Sequence, residues 1–241
     1  MMENKVNGNS IQRTARTAGL LYLILAICGG FAEFASRQSL IVPGDAAATV
    51  SNIMASIGIF RLGVFSELVG QVAFILLVLY LYQLLRPVNQ FQSGLMVVFV
   101  IVAVAITCLN MVNQFTALLL LGGADYLSVL GTSQLQTQVL YSLSLHKAGY
   151  MIAQVFFGLW LLPLGYLVYK SGFIPKIIGI LLMVACFGYL VDVVTFFLVP
   201  GFTVTVSELT FIGELLLLFW LLIKSVNVEK WEKRSMESSF A

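Results

Sequence analysis

The stretch 93–121, SGLMVVFVIVAVAITCLNMVNQFTALLLL, contains no charged residue over its whole length. A helix of about 20 mostly apolar residues is long enough to cross the hydrocarbon core of a bilayer. The sequence therefore predicts an all-α protein, a polytopic transmembrane helical bundle that forms a single membrane domain over residues 1–241. Its six predicted spans are residues 15–36, 61–85, 93–121, 146–169, 174–198 and 208–224.

The composition of the whole chain agrees with this class. Hydrophobic residues make up 60% of the chain and charged residues only 10%, and the formal net charge is +2. Soluble domains carry about 25% charged residues, and one aqueous core of this size cannot bury so much apolar surface. The small net charge gives no indication of a nucleic-acid partner. Membrane lipids are the expected partners, with a small-molecule or ion ligand, and the oligomeric state stays open.

The sequence contains no recognisable catalytic or metal-binding motif. Cys28, Cys108 and Cys186 lie in different apolar stretches without metal-ligand spacing, which favours buried packing roles. The chain also lacks the nucleophile, phosphate-loop and dinucleotide-binding motifs. We therefore predict no catalytic residue, no metal and no cofactor, and a non-enzyme is favoured over an enzyme. The one histidine, His146, is compatible with proton transfer, a metal ligand or a hydrogen-bonded interfacial role.

The distribution of positive charge predicts the orientation. With the N-terminus inside, ten of the thirteen Lys and Arg residues fall on the inner side, and only Arg37, Arg61 and Lys147 fall outside. Cytoplasmic segments carry an excess of Lys and Arg. We expect a multi-pass protein of the cell inner (plasma) membrane with both termini in the cytoplasm.

Three segments outside the spans have predicted features of their own. Asp45 follows a Pro-Gly turn and stands where a helix N-cap is expected, so residues 45–58 predict a short amphipathic helix on the outer side. A polar helical extension is expected within about 124–145, ahead of the fourth span. The cytoplasmic tail, residues 225–241, is charged, and we expect it to be frayed from about Asn227.

Every predicted span carries polar residues toward its outer end, and all carboxylates within the spans fall in that half. Lipid cannot solvate these groups, so the simplest packing turns them inward, where they line one outward-facing pocket with Glu67 and Glu214 in its wall. The candidate pocket residues are Glu33, Arg37, Arg61, Glu67, Gln71, Asn110, Asn113, His146, Tyr150, Gln154, Asp192 and Glu214.

The polar set is compatible with three classes of function. The first is a binding protein or carrier that holds a small molecule or ion in the outer pocket. The second is an intramembrane lipid-modifying enzyme that uses carboxylates and His146 as acid and base. The third is a structural or accessory membrane protein in which Arg37, Arg61, Lys147 and the carboxylates form a packing network.

Four short strings occur together along the chain: LIVPGDAAAT at 40–49, LRPVN at 85–89, HKAGY at 146–150 and SGFIPK at 171–176. As a set they resemble the bacterial membrane family called domain of unknown function 4386, over about Arg13 to Ile223. The resemblance implies a multi-span membrane fold. It implies no activity and assigns no functional residue.

Overall fold

The computed structural model describes residues 2–199, 201 and 204–239, and all regular elements within these residues are helices. The all-α prediction is confirmed. The elements are α1 Met2–Gly30, which continues as a π-helix Phe31–Gln38, α2 Ala46–Ala55, α3 Ile57–Leu85, α4 Gln90–Asn110, α5 Val112–Leu121, a 3₁₀ turn Asp125–Leu127, α6 Thr132–Leu159, α7 Leu161–Ser171, α8 Lys176–Leu198, α9 Ser207–Thr210, α10 Ile212–Phe219, a second π-helix Trp220–Lys224, and α11 Val228–Ser239.

Several of these helices are apolar and long enough to cross a membrane. Within the described residues five continuous stretches qualify, and a sixth is added if the bent pair Ser207–Lys224 and Val228–Ser238, which meet at 106°, counts as one span. The exact number of spans and their orientation therefore stay predictions. The five stretches are Asn9–Gln38, Ile57–Leu85, Gln90–Leu121, Thr132–Ser171 and Lys176–Leu198.

The contacts of the chain group it into two compact units, each built from distant segments. The first unit combines Met1–Leu23, Ala73–Val104 and Ala153–Ala241, and the second combines Ile24–Val72 and Ala105–Ile152. The division between the units falls inside long helices. For example, α3 contributes residues up to Val72 to the second unit and residues from Ala73 to the first.

The first unit is held together by close helix packing. Gly172, with a φ of 74°, adopts the left-handed conformation that lets the chain reverse between α7 and α8. These two helices then approach so closely at Gly165 and Gly179 that a Cβ on either would overlap backbone atoms of the other. Such contacts between small residues are a common packing mode of membrane helices.

The second unit contains the predicted outer helix. Asp45 caps α2 by accepting a hydrogen bond from the Ala48 amide at 2.8 Å, as predicted. Ile53 of α2 is fully buried and packs in a core with Phe60 and Met111. The helix is therefore anchored by an apolar side chain.

The C-terminal tail differs from the sequence prediction. Within the described residues, Val228–Ser239 is a helix, so the expectation of a frayed tail is wrong for this segment. Asn227 Oδ1 accepts a hydrogen bond from the Lys230 amide at 3.0 Å, which is an N-cap contact. The Trp231 indole donates to the Leu84 carbonyl at the end of α3 at 2.8 Å. The cap and the indole contact explain why this charged segment is ordered.

Candidate functional site

A buried carboxylate on α3, Glu67, is the centre of a polar network in the second unit. Its side chain is only 4% exposed. Glu67 Oε2 accepts hydrogen bonds from Arg37 Nη1 at 2.6 Å and from Gln114 Nε2 at 2.7 Å. Both contacts are at the short end of the usual range for bonds to a charged acceptor. Glu67 is therefore bound from two directions, by a cation and by an amide.

The π-helix Phe31–Gln38 positions the cation of this network. Arg37 Nε donates to Glu33 Oε2 at 2.8 Å, so one guanidinium contacts both carboxylates. The π-helix lies close to α3 because Gly63 has no side chain: a Cβ there would overlap Ser36 Oγ. π-Helical segments are rare in proteins, and those that occur are often found at functional sites.

His146 joins the same network through Gln114. Gln114 Nε2 lies 2.6 Å from His146 Nε2, and His146 Nε2 lies 3.8 Å from Glu67 Oε1. The two hydrogens of the Gln114 amide account for its bonds to Glu67 and to His146. In this arrangement the imidazole Nε2 is the acceptor, and His146 is neutral.

The C-terminal end of α4 is linked to α6 next to this histidine. The Asn110 side-chain amide donates to the His146 carbonyl at 2.7 Å, and Asn113 Nδ2 donates to Asn110 Oδ1 at 3.0 Å. Gly149 makes the contact sterically feasible, since a Cβ at this position would overlap the Asn110 side chain. The asparagines thus fix the position of His146 along α6.

The network has an imbalance of charge. Glu33 and Glu67 share the single guanidinium of Arg37, and His146 is neutral in the hydrogen-bonding arrangement described above. One negative charge is therefore left without a cation among these groups. Glu33 is the more exposed of the two carboxylates, with 41% of its side chain exposed against 4% for Glu67. Arg37 also lies over the ring of Tyr150, at 5.9 Å from the ring centroid.

Gln71 lies one helical turn from Glu67 on the same face of α3. Its Oε1 atom is buried and accepts no hydrogen bond from any described residue. Buried acceptors in native proteins are usually satisfied by protein, water or an ion. This atom is therefore a buried acceptor without a described donor, one helical turn along α3 from Glu67.

The first unit contains a different buried carboxylate, Glu214 of α10. Its two oxygens accept hydrogen bonds from the Tyr22 and Tyr189 hydroxyls at 2.8 and 2.9 Å. Gln154 Nε2 approaches the Tyr189 carbonyl at 3.5 Å. Two phenol donors satisfy the carboxylate without a positively charged partner among the described residues.

Asp192 of α8 acts as a cap for a short helix of the first unit. Its carboxylate accepts hydrogen bonds from the backbone amides of Val206, at 2.6 Å, and Ser207, at 3.0 Å. These amides lie at the start of α9, where N–H groups lack intrahelical partners. The contacts assign Asp192 a structural role in holding the entry to α9 and α10.

The twelve predicted pocket residues are therefore distributed over both units. The second unit brings together Glu33, Arg37, Glu67, Asn110, Asn113 and His146, with the Tyr150 ring against Arg37. Gln71 lies one helical turn from Glu67 along α3. Gln154, Asp192 and Glu214 belong to the first unit. Arg61 is exposed and lines an apolar groove. A single pocket shared by Glu67 and Glu214 stays a prediction.

Two residues that the predicted pocket omits have central positions in these networks. Gln114 bridges Glu67 and His146, and its spacing of four residues from Asn110 on the same helical stripe is the sequence signal that marks it. Tyr22 donates to Glu214 from an apolar stretch of α1, where a lone tyrosine carries no comparable signal.

Apolar helices with charged groups buried between them are typical of multi-span membrane proteins, in which such groups face protein and not lipid. The chain belongs to the family described as Domain of unknown function (DUF4386), whose sequence profile matches residues 17–225. The resemblance identified from the sequence is thereby confirmed.

One relative of this chain is an uncharacterized protein of Archaeoglobus fulgidus. It is 38% identical to this chain over 146 residues, which cover 60% of this chain and 72% of the relative. Because that relative is archaeal, the description of the family as bacterial is too narrow. No solved structure matches the chain.

Proposed function

We propose that the protein is an integral membrane protein whose outward-facing polar site, centred on Glu67, binds a small monovalent cation. The observation that carries this proposal is the sharing of one guanidinium, that of Arg37, between Glu33 and Glu67. Two carboxylates that share one guanidinium leave an excess negative charge in a partly buried site, and a bound cation offsets it.

Gln71 supports a site for a cation or donor. Its buried Oε1 atom accepts no hydrogen bond from a described residue, and the spacing of one turn from Glu67 on the same face of α3 makes it a candidate neutral oxygen ligand. Alkali cations prefer oxygen ligands, and an ammonium group donates hydrogen bonds to the same atoms. No set of three or more His, Cys, Asp and Glu side chains suited to a metal ion occurs in the described part of the chain. This favours a weakly held monovalent cation over a transition metal.

The gradient of exposure suggests a direction of entry. Glu33 is 41% exposed and Glu67 is 4% exposed, and Arg37 contacts both. A cation attracted to Glu33 would reach Glu67 by exchanging with the guanidinium. With the orientation predicted from positive charge, this entry lies on the outer side of the membrane.

Cation binding is testable by thermal unfolding of the purified protein in detergent. Sodium, potassium or methylammonium chloride replaces choline chloride at constant ionic strength. We expect at least one of these cations to raise the Tm with saturation, since a ligand at 100 times its Kd stabilises by about 2.7 kcal/mol. In Glu67→Gln the rise should disappear, because the excess charge is removed.

Glu214→Gln is the matched control, since it neutralises a buried carboxylate of the first unit that has only tyrosine donors as partners. It should keep the cation response. Equal behaviour of all cations and choline in the wild type would contradict the proposal. A lower Tm of Glu67→Gln in every salt, with no cation response in the wild type, would identify a packing network.

The proposed orientation has its own test. A reporter that is active only outside the cytoplasm should stay inactive when fused after Ala241 and become active when inserted next to Asp125. The reason is the excess of Lys and Arg on the predicted inner side. A fusion after Asn89, between the second and third spans, is the internal control and should be inactive. The reverse pattern would overturn the orientation.

A further inference from the structure

An apolar groove lies on the second unit, between α3 and α5, and none of the proposed cation ligands lines it. Its volume is about 560 Å³, which falls within the ~300–1,000 Å³ of typical small-molecule sites. Phe65 and Leu68 form one wall, and Phe115 and Leu119 form the other. These side chains are strongly exposed, Phe65 to 62% and Leu119 to 64%.

One end of the groove is positively charged. Arg61, near the start of α3, lines it together with the small residues Gly122 and Ala124. No carboxylate in the described residues lies within ion-pair distance of Arg61. From Arg61 to Leu68 the groove extends about 10 Å along α3, at about 1.5 Å per residue.

We propose that this groove holds a hydrocarbon chain of an anionic phospholipid, whose phosphate is bound by Arg61. The exposed apolar walls belong to membrane-spanning helices, where hydrocarbon is the solvent that contacts them. An unpaired arginine at the end of such a groove matches a phosphate by charge and by the planar geometry of its donors. The small residues beside Arg61 leave room for a headgroup.

Photolabelling in nanodiscs tests this assignment. The bilayer is phosphatidylcholine with a trace of either phosphatidylglycerol or phosphatidylcholine that carries a diazirine in its chain, and labelled peptides are mapped by mass spectrometry. We expect the phosphatidylglycerol probe to label the peptides around Phe65 and Phe115 about fivefold more than the phosphatidylcholine probe, as one basic residue near a membrane surface predicts. Arg61→Gln should abolish the excess, and Arg61→Lys should keep most of it.

Two controls make the outcome specific. Lys147→Gln removes another exposed cation of the second unit that does not line the groove, and it should leave the labelling unchanged. Leu109, which is 74% exposed and lies outside the groove, should be labelled equally by both probes. An excess that persists in Arg61→Gln would overturn the proposal. The proposal would also be overturned if the ratio of phosphatidylglycerol to phosphatidylcholine labelling were the same at the groove as at Leu109. Loss of the excess on addition of inorganic phosphate would identify a free-anion site and overturn the lipid assignment.

Discussion

Arg37→Met is expected to destabilise the protein by about 3–5 kcal/mol, the usual cost of removing one partner of a buried ion pair. Arg37 Nη1 lies 2.6 Å from Glu67 Oε2, and the Glu67 side chain is 4% exposed. Without the guanidinium, Glu67 keeps only the Gln114 amide as a donor at that oxygen. The free energy of unfolding in mixed micelles measures the effect.

The double variant Arg37→Met with Glu67→Gln separates the buried charge from lost packing. If the charge on Glu67 dominates the loss, the double variant should be more stable than Arg37→Met alone, with a coupling energy of about 1–3 kcal/mol. Lys147→Met is the matched control. It removes an exposed cation of the same unit and should change the free energy of unfolding by less than about 0.5 kcal/mol. Additive single effects would contradict an ion pair that stabilises the fold.

Local features of the sequence predicted the helices well. The length of an apolar run and its interruption by Pro, Gly or Asn are local properties of the sequence. The helices could therefore be predicted from the sequence alone. The α2 cap at Asp45 and the contact between Glu33 and Arg37 were predictable for the same reason, because both lie within one turn of the chain. The charged tail is the exception, since its order depends on the contact of Trp231 with the distant Leu84 carbonyl.

The partners of the buried carboxylates could not be obtained in this way. Polar stripes on six helices show which residues avoid lipid, but not how each helix is rotated toward its neighbours. Glu67 meets Arg37 because a π-helix and Gly63 set the local approach, and neither follows from a spacing of 3.6 residues. Asp192 shared the polar pattern of the candidate pocket, yet its carboxylate caps the start of α9.

The glycine contact between α7 and α8 leads to the second large expected effect. A Cβ on Gly179 would lie 2.5 Å from the Gly165 carbonyl oxygen and 2.6 Å from the Tyr169 amide nitrogen. Both obstacles are backbone atoms, which cannot move aside by changing a rotamer. The helices must therefore separate, and the packing of the neighbouring side chains is lost along the crossing.

Gly179→Ala is expected to lower the free energy of unfolding by about 3 kcal/mol, near the upper end of typical overpacking effects. Gly94→Ala is the matched control. It lies within α4 with no heavy atom within 4 Å of a new Cβ, so it should be neutral or stabilise by up to about 1 kcal/mol through helix propensity. Unfolding in mixed micelles, followed by circular dichroism, compares the two variants. Equal stability of both would mean that α7 and α8 do not make this close contact.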